Sequence, residues 1–196
     1  DKGYTEIVLA SRDKPLLLEK FCCALASEQI NILSADLFTR TDGIVVNIFR
    51  VCTTNFETVS SPGTRKRFLA TFENILVAEK YEPDKYLKRR VNFLTQRTDQ
   101  EIPVPVRAYV TNELHPSCTT VELQALDRIG LLHDLFHTVN EYGLNTAHAR
   151  ICTEKGVAMD TLYITTSKDG KVEDPEILEQ LEERFSTLIA RTDTAE

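Results

Sequence analysis

The hydrophobic pattern of this chain occurs twice. Each occurrence is a β-rich run, an apolar stripe at helical spacing, two strands about a glycine turn, and a second helical stripe. In the first, Ile7-Val8-Leu9 reads as a strand. The loop Ser11–Pro15 follows, and Pro15 suits the first turn of a helix, where its missing N–H costs nothing. Leu18, Phe21, Cys22 and Leu25 then fall at i, i+3, i+4 and i+7, one apolar helix face. Ile30 to Thr39 predicts a second strand, and Thr41-Asp42-Gly43 a hairpin turn, because Asp-Gly supplies positive φ. Ile44 to Cys52 predicts a third strand. Arg65 to Ala78 predicts a second helix with Phe68, Phe72 and Ile75 on one face.

In the second occurrence Val121, Leu123 and Ala125 alternate with Glu122 and Gln124, a strand with one buried face. Leu132, Leu135, Phe136 and Val139 form the helical stripe, and Gly143 sits where a C-terminal cap glycine belongs. Strands Leu144–Thr153 and Val157–Thr166 flank a turn at Gly156, and Ile177, Leu181, Phe185 and Leu188 line a last helix. Residue by residue, Thr119–Thr166 repeats Thr5–Val51. Asp13-Lys14-Pro15-Leu16-Leu17-Leu18 aligns with Asp127-Arg128-Ile129-Gly130-Leu131-Leu132, Asn31 with Asn145, Ala35 with Ala149, Thr39 with Thr153, and Gly43, after a one-residue gap, with Gly156. The chain is therefore expected to be a tandem of like modules.

The order β-α-β-β-α lacks one strand of the βαββαβ, ferredoxin-like plan, an α+β fold with an antiparallel sheet and its helices on one face. One candidate remains, Val104 to Thr111, with Pro103 and Pro105 suggesting an edge position. The short loop Asn112–Cys118 lets it form a hairpin with Thr119–Leu126, so it is assigned to the second module as a permuted copy; the alternative is that it closes the first. The expected organisation is a first module at 1–80, a connector at 81–102 and a second module at 103–196. Around the connector, Lys80, Lys85, Lys88, Arg89, Arg90 and Arg97 are locally basic, either a solvated linker or a contact for an acidic partner.

The net charge of -7 argues against broad nucleic-acid binding. No apolar run approaches the ~20 residues a membrane span needs, and no signal peptide opens the chain. The opening Asp1-Lys2-Gly3, without Met, reads as the start of a fragment of a longer protein. Five cysteines without disulfide spacing point to reduced thiols and a cytoplasmic setting. Cys22 and Cys152 are read as small core fillers.

Candidate chemistry is sparse. No glycine-rich phosphate loop, GxSxG, CxxC or paired zinc spacing appears. His133 and His137, at i and i+4 on one helix, could share a metal. No third ligand is evident and they lie beside the apolar stripe, so no metal is expected. The turn Asp127-Arg128-Ile129-Gly130 before Leu131 is the better candidate. Gly130 permits close backbone approach, and helix N-terminal N–H groups favour an anion such as an α-carboxylate. Asn145, opening the next strand, is expected to come towards that turn, with an amide that both donates and accepts. Asp127 could instead simply cap the helix.

Asp127-Arg128-Ile129-Gly130-Leu131-Leu132, with Gly143-Leu144-Asn145 and Ala147-His148-Ala149-Arg150-Ile151, resembles an ACT domain. The tandem spacing, the Pro-Val-Pro-Val run at 103–106, and the first-copy stretches Arg12–Pro15, Ala35–Thr39 and Asp42-Gly43 resemble the C-terminal end of bacterial PII uridylyltransferases over nearly the whole chain. The resemblance implies two ACT modules that pair within or between chains and sense an amino acid, glutamine in that family, with no cofactor in this region. It implies catalytic domains upstream and action on the PII signal protein through the parent enzyme. The ligand-binding residues so implied are Asp127, Arg128, Ile129, Gly130, Leu131 and Asn145. A weaker first-copy site comprises Asp13, Lys14, Pro15, Leu16 and Asn31. Leu16 stands at the first copy's glycine position, and Ile129 where many ACT domains have Pro. Three readings compete: a regulatory amino-acid-binding tandem, a stand-alone ACT-repeat scaffold without ligand, and a small metal protein using His133 and His137.

Overall fold

The computed structural model describes residues 3–40, 42–87 and 105–190. The first module contains β1 (Thr5–Arg12), α1 (Leu17–Ser27), β2 (Asn31–Thr39), β3 (Ile44–Cys52) and α2 (Pro62–Val77). A 3-10 turn at Pro83–Lys85 follows. The second module contains β4 (Arg107–Thr111), β5 (Thr119–Leu126), α3 (Leu131–Glu141), β6 (Asn145–Glu154), β7 (Val157–Thr165) and α4 (Pro175–Ala190).

The seven strands among the described residues form one antiparallel sheet in the order β1-β3-β2-β6-β7-β5-β4. Strands β4, β5, β7 and β6 have the ferredoxin-like spatial order, with β4 contributed from the N-terminal side. Strands β1, β3 and β2 repeat that order, with no fourth member among the described residues. The two sheets join where β2 lies antiparallel to β6, with Ser34 opposite Cys152, Ala35 opposite Ile151 and Asp36 opposite Arg150. The pairing of modules is thus made within one chain by backbone hydrogen bonding.

Local chemistry explains the boundaries. Strand β4 starts at Arg107 rather than at 104: Pro105 has no N–H to give a ladder, and residues 88–104, with Lys88, Arg89, Arg90 and Arg97, lie outside the described residues. Lys80 and Lys85 are both paired with Glu82, so the described part of the basic run is internally compensated. Helix α2 begins three residues earlier than the apolar stripe indicated, because Ser61 accepts from the Thr64 N–H and Pro62 takes the first position. Pro15 lies before α1, not in its first turn; the helix follows Leu16. Gly143, at φ 66°, ends α3: its N–H donates to Asn140 O and the Leu144 N–H to Val139 O.

One continuous core runs between sheet and helices. Phe21 is its centre in the first module, with Phe49 at 4.6 Å and Phe68 and Phe72 meeting it edge-on. Leu135, Phe136, Leu181 and Phe185 fill the second. Cys22, Cys23, Cys52 and Cys118 are buried; Cys152 is exposed and not core filler, because its side chain falls on the outer face of β6.

Candidate functional site

The turn before the first helix is built identically in both modules. The Asp13 N–H donates to Gly43 O, and the Asp127 N–H to Gly156 O, each at 2.9 Å. The Leu17 N–H donates to Lys14 O, and the Leu131 N–H to Arg128 O, each at 3.2 Å. Leu16 (φ 61°, ψ 13°) and Gly130 (φ 80°, ψ 3°) both adopt the left-handed conformation and precede helices. Glycine reaches it freely; for leucine its Cβ crowds the carbonyl that follows. Joining β2 to β6 sets α1 beside α3, so each turn faces the other module.

The second turn meets Asn31, the first residue of β2, whose Nδ2 donates to Asp127 Oδ2 at 2.7 Å. Asp127 therefore bridges the modules, and Gly130 at the N-cap receives no side-chain cap. Asn145 does not come to this turn. The antiparallel run of β6 past β2 puts the starts of the two strands at opposite ends of the joint, so Asn145 faces the first turn instead. Arg128 Nη2 donates to Asp134 Oδ2 at 2.7 Å, and Asp134 Oδ1 lies 2.9 Å from His133 Nδ1. His133 Nε2 meets the Tyr81 hydroxyl at 3.1 Å. Ile129 and Leu131 are buried. What remains is a void of about 20 Å³, bordered by Asn31, Asp127, Arg128, Thr153 and Asp160, room for about one water. Burial pushes the Asp127 carboxyl up to about 6 against the bonds from Asn31 and Thr153. Burial, with the nearby Asp127, pushes Asp160 up to about 7. Arg128 Nη1 has no hydrogen-bond partner among the described residues.

The first turn is open. Asp13, Lys14, Pro15 and Leu16, with Leu17 and Leu18, border a cavity of about 660 Å³ whose far wall is Asn145–His148. Its apolar floor is Leu37, Val45, Phe136 and Leu144. Asp13, Lys14 and Asn145 are exposed, whereas Asp127, Arg128 and Asn31 are buried. Space for a ligand thus lies at the turn with leucine, not at the one with glycine.

Between the two turns runs a buried polar seam that sequence reasoning missed. Glu19 on α1, 1% exposed, accepts from Asn140 Nδ2 at 2.6 Å and lies 2.8 Å from His137 Nδ1. Glu19, Cys22, Cys23 and Ala26 are all buried and form a second stripe on α1, the side turned to α3; their spacing was the available signal. His133 and His137 belong to this seam. Their imidazoles stack at 5.8 Å, and His133 is 2% exposed rather than solvated. Among the described residues no group of three or more His, Cys, Asp or Glu is placed to hold a metal ion. No helix among them is long and apolar enough to cross a membrane.

Residues 107–192 match the family model described as "ACR9-like, ACT-like domain", starting where β4 starts. The chain is 26% identical over 192 residues to the bifunctional uridylyltransferase/uridylyl-removing enzyme of Rhodospirillum rubrum, covering 98% of this chain and 20% of that protein. It is 27% identical over 195 residues to the enzyme of that name from a Bradyrhizobium species (99% of this chain, 20% of that protein). Against the one from Nitrobacter winogradskyi it is 26% identical over 196 residues (100% and 21%). The chain spans about a fifth of the length of the curated relatives it matches. Residues 107–192 are thus similar to an ACT-like domain, and nearly the whole chain is similar to a stretch of these bacterial enzymes.

Proposed function

We propose that this chain is the regulatory, amino-acid-sensing part of a larger nucleotidyltransferase of the uridylyltransferase kind, and that glutamine binds in the cavity at the first turn. The observation that carries this reading is the open space of about 660 Å³ enclosed by a helix-opening turn of one module and the strand start of the other. The N–H groups of a helix's first turn lack intrahelical acceptors, which suits an α-carboxylate; here they belong to Leu18 and Glu19. Asp13 and the Asn140 amide oxygen offer acceptors for an α-ammonium, and Asn145 can donate and accept for a carboxamide. The apolar floor holds the methylenes. A ligand touching both modules has different affinity for the joined and the parted states, and so shifts the balance between them. That shift is what upstream catalytic domains acting on the PII signal protein would read.

Titration calorimetry with glutamine tests this. One equivalent per chain is expected for the wild type, and loss of binding for Asn145→Ala. Wild-type affinity in that variant would remove the cavity as the site. A folded protein that takes up none of the twenty amino acids would select the second reading, a ligand-free ACT-repeat scaffold. The closed second turn already behaves in that way, filling its own interface with side chains.

A further inference from the structure

Behind the two turns, one buried position carries a different residue in each module. In the second module Asp160 of β7 accepts from the Cys152 N–H of β6 through Oδ1 at 3.2 Å. In the first, Asn47 of β3 accepts from the Phe38 N–H of β2 through Oδ1, also at 3.2 Å. Asn47 follows Gly43 at the same spacing as Asp160 follows Gly156, so the two occupy one place in the repeat. Asp160 lies within electrostatic reach of Asp127, the residue that opens its turn, and both border the same void. Asn47 likewise borders the cavity of the first turn, together with Asp13 and Leu17. The bond from Phe38 fixes the Asn47 amide. A backbone N–H can only donate, so the amide oxygen faces it and the nitrogen faces away. Asn47 is 3% exposed, and its Nδ2 has no hydrogen-bond partner among the described residues. Nδ2 is not fully enclosed either, so it opens on the cavity that Asn47 borders. A largely buried donor without a partner costs stability, and a ligand oxygen placed there removes that cost.

We propose that Asn47 selects the α-carboxylate of the amino acid in the first-turn cavity, an assignment that rests on the reading of that cavity as the glutamine site. Nδ2 donates to the carboxylate from the sheet, and the first free N–H groups of α1 donate to it from the helix. An amide nitrogen offers donors alone, so it admits an oxygen and turns away an ammonium. An Asp at this place, as in the second module, sets a carboxylate there instead, which repels an anion and gives it no hydrogen. The second turn therefore lacks the polarity for such a ligand as well as the space.

Asn47→Asp copies the second module's residue and provides the test. Asp160 makes the same backbone bond in its own module, so the variant should fold, which circular dichroism checks. Titration calorimetry with glutamine is run on both proteins at about pH 8 and about pH 5.5, and the ratio of their affinities is read at each. Burial lifts the carboxyl of Asp160 to about 7. The introduced carboxyl, in the equivalent place, should be charged at the higher pH and protonated at the lower, where its O–H donates as the amide did. The variant should bind about a hundredfold more weakly than wild type at pH 8 and within about threefold of it at pH 5.5. Asp13, Lys14, Glu19, His148 and Asp169 also border the cavity, but both proteins carry them and their titration cancels in the ratio. Asn47→Leu, of similar size and without a donor, should bind weakly at both pH values. Wild-type affinity at pH 8 in either variant would overturn the assignment, as would an Asn47→Asp protein equally weak at both pH values. A wild type that takes up no glutamine would remove the reading of the cavity itself, and this role of Asn47 with it.

Discussion

Asp160→Asn should stabilise this protein at alkaline pH and flatten the pH dependence of its unfolding. Asp160 is 4% exposed, and its Oδ1 accepts one bond, from the Cys152 N–H at 3.2 Å. Burial, chiefly, lifts its carboxyl from 3.8 to about 7. Because the folded state then holds the proton more tightly than the unfolded chain, stability is fully present below pH 3.8 and is lost as pH rises through 7. At about 1.4 kcal/mol per tenfold change in proton binding, charging Asp160 costs about 4 kcal/mol at pH 8. Asp127, lifted to about 6 by burial, has the same sign. Between pH 5 and pH 8 the linkage relation assigns a loss of about 3 kcal/mol to Asp160 and about 1 kcal/mol to Asp127. Urea unfolding followed by circular dichroism at pH 5, 6.5 and 8 measures this directly. The wild type should lose roughly 4 kcal/mol across the series. The variant keeps the Cys152 acceptor and should lose only the Asp127 share. Parallel slopes for the two proteins, or a variant less stable than wild type at pH 8, would refute the reasoning.

Three further outcomes are expected. Leu16→Gly should raise the stability by about 1 kcal/mol, the cost of a leucine held at φ 61°, seen as a higher midpoint in thermal unfolding; a lower midpoint would mean that the side chain's packing outweighs the strain. Asn31→Ala should cost about 2 kcal/mol, the loss of a buried hydrogen bond to a carboxylate. It should also move the Asp127 titration, followed by carboxyl NMR, above its value of about 6. Small-angle scattering with saturating glutamine should show a changed radius or mass; saturated binding with neither would leave recognition standing and remove the switching mechanism.

Much of this architecture was legible because it is local. The i, i+3, i+4, i+7 stripes of Phe21 and Leu135, the Asp42-Gly43 and Gly156 turns and the Gly143 cap each declare themselves within a few residues. What stayed hidden depends on which module faces which. Asn31 and Asp127 are 96 residues apart in sequence, and their contact follows from the β2–β6 joint, which no periodicity encodes. The same joint leaves the open space at the first turn rather than at the second. Leu16 against Gly130 suggested that the glycine turn would admit a ligand more readily, yet both residues adopt the same left-handed backbone. Whether a turn is open is decided elsewhere, by whether the charged residues at its start fold inwards. Asp127 and Arg128 do so because the buried Asn31 and Asp134 and the half-buried Thr153 offer partners. Asp13 and Lys14 stay in solvent before Asn145, itself exposed. Two copies of one motif thus end up differently within a single chain: the closed turn carries a bond between the modules, and the open one borders a cavity of about 660 Å³.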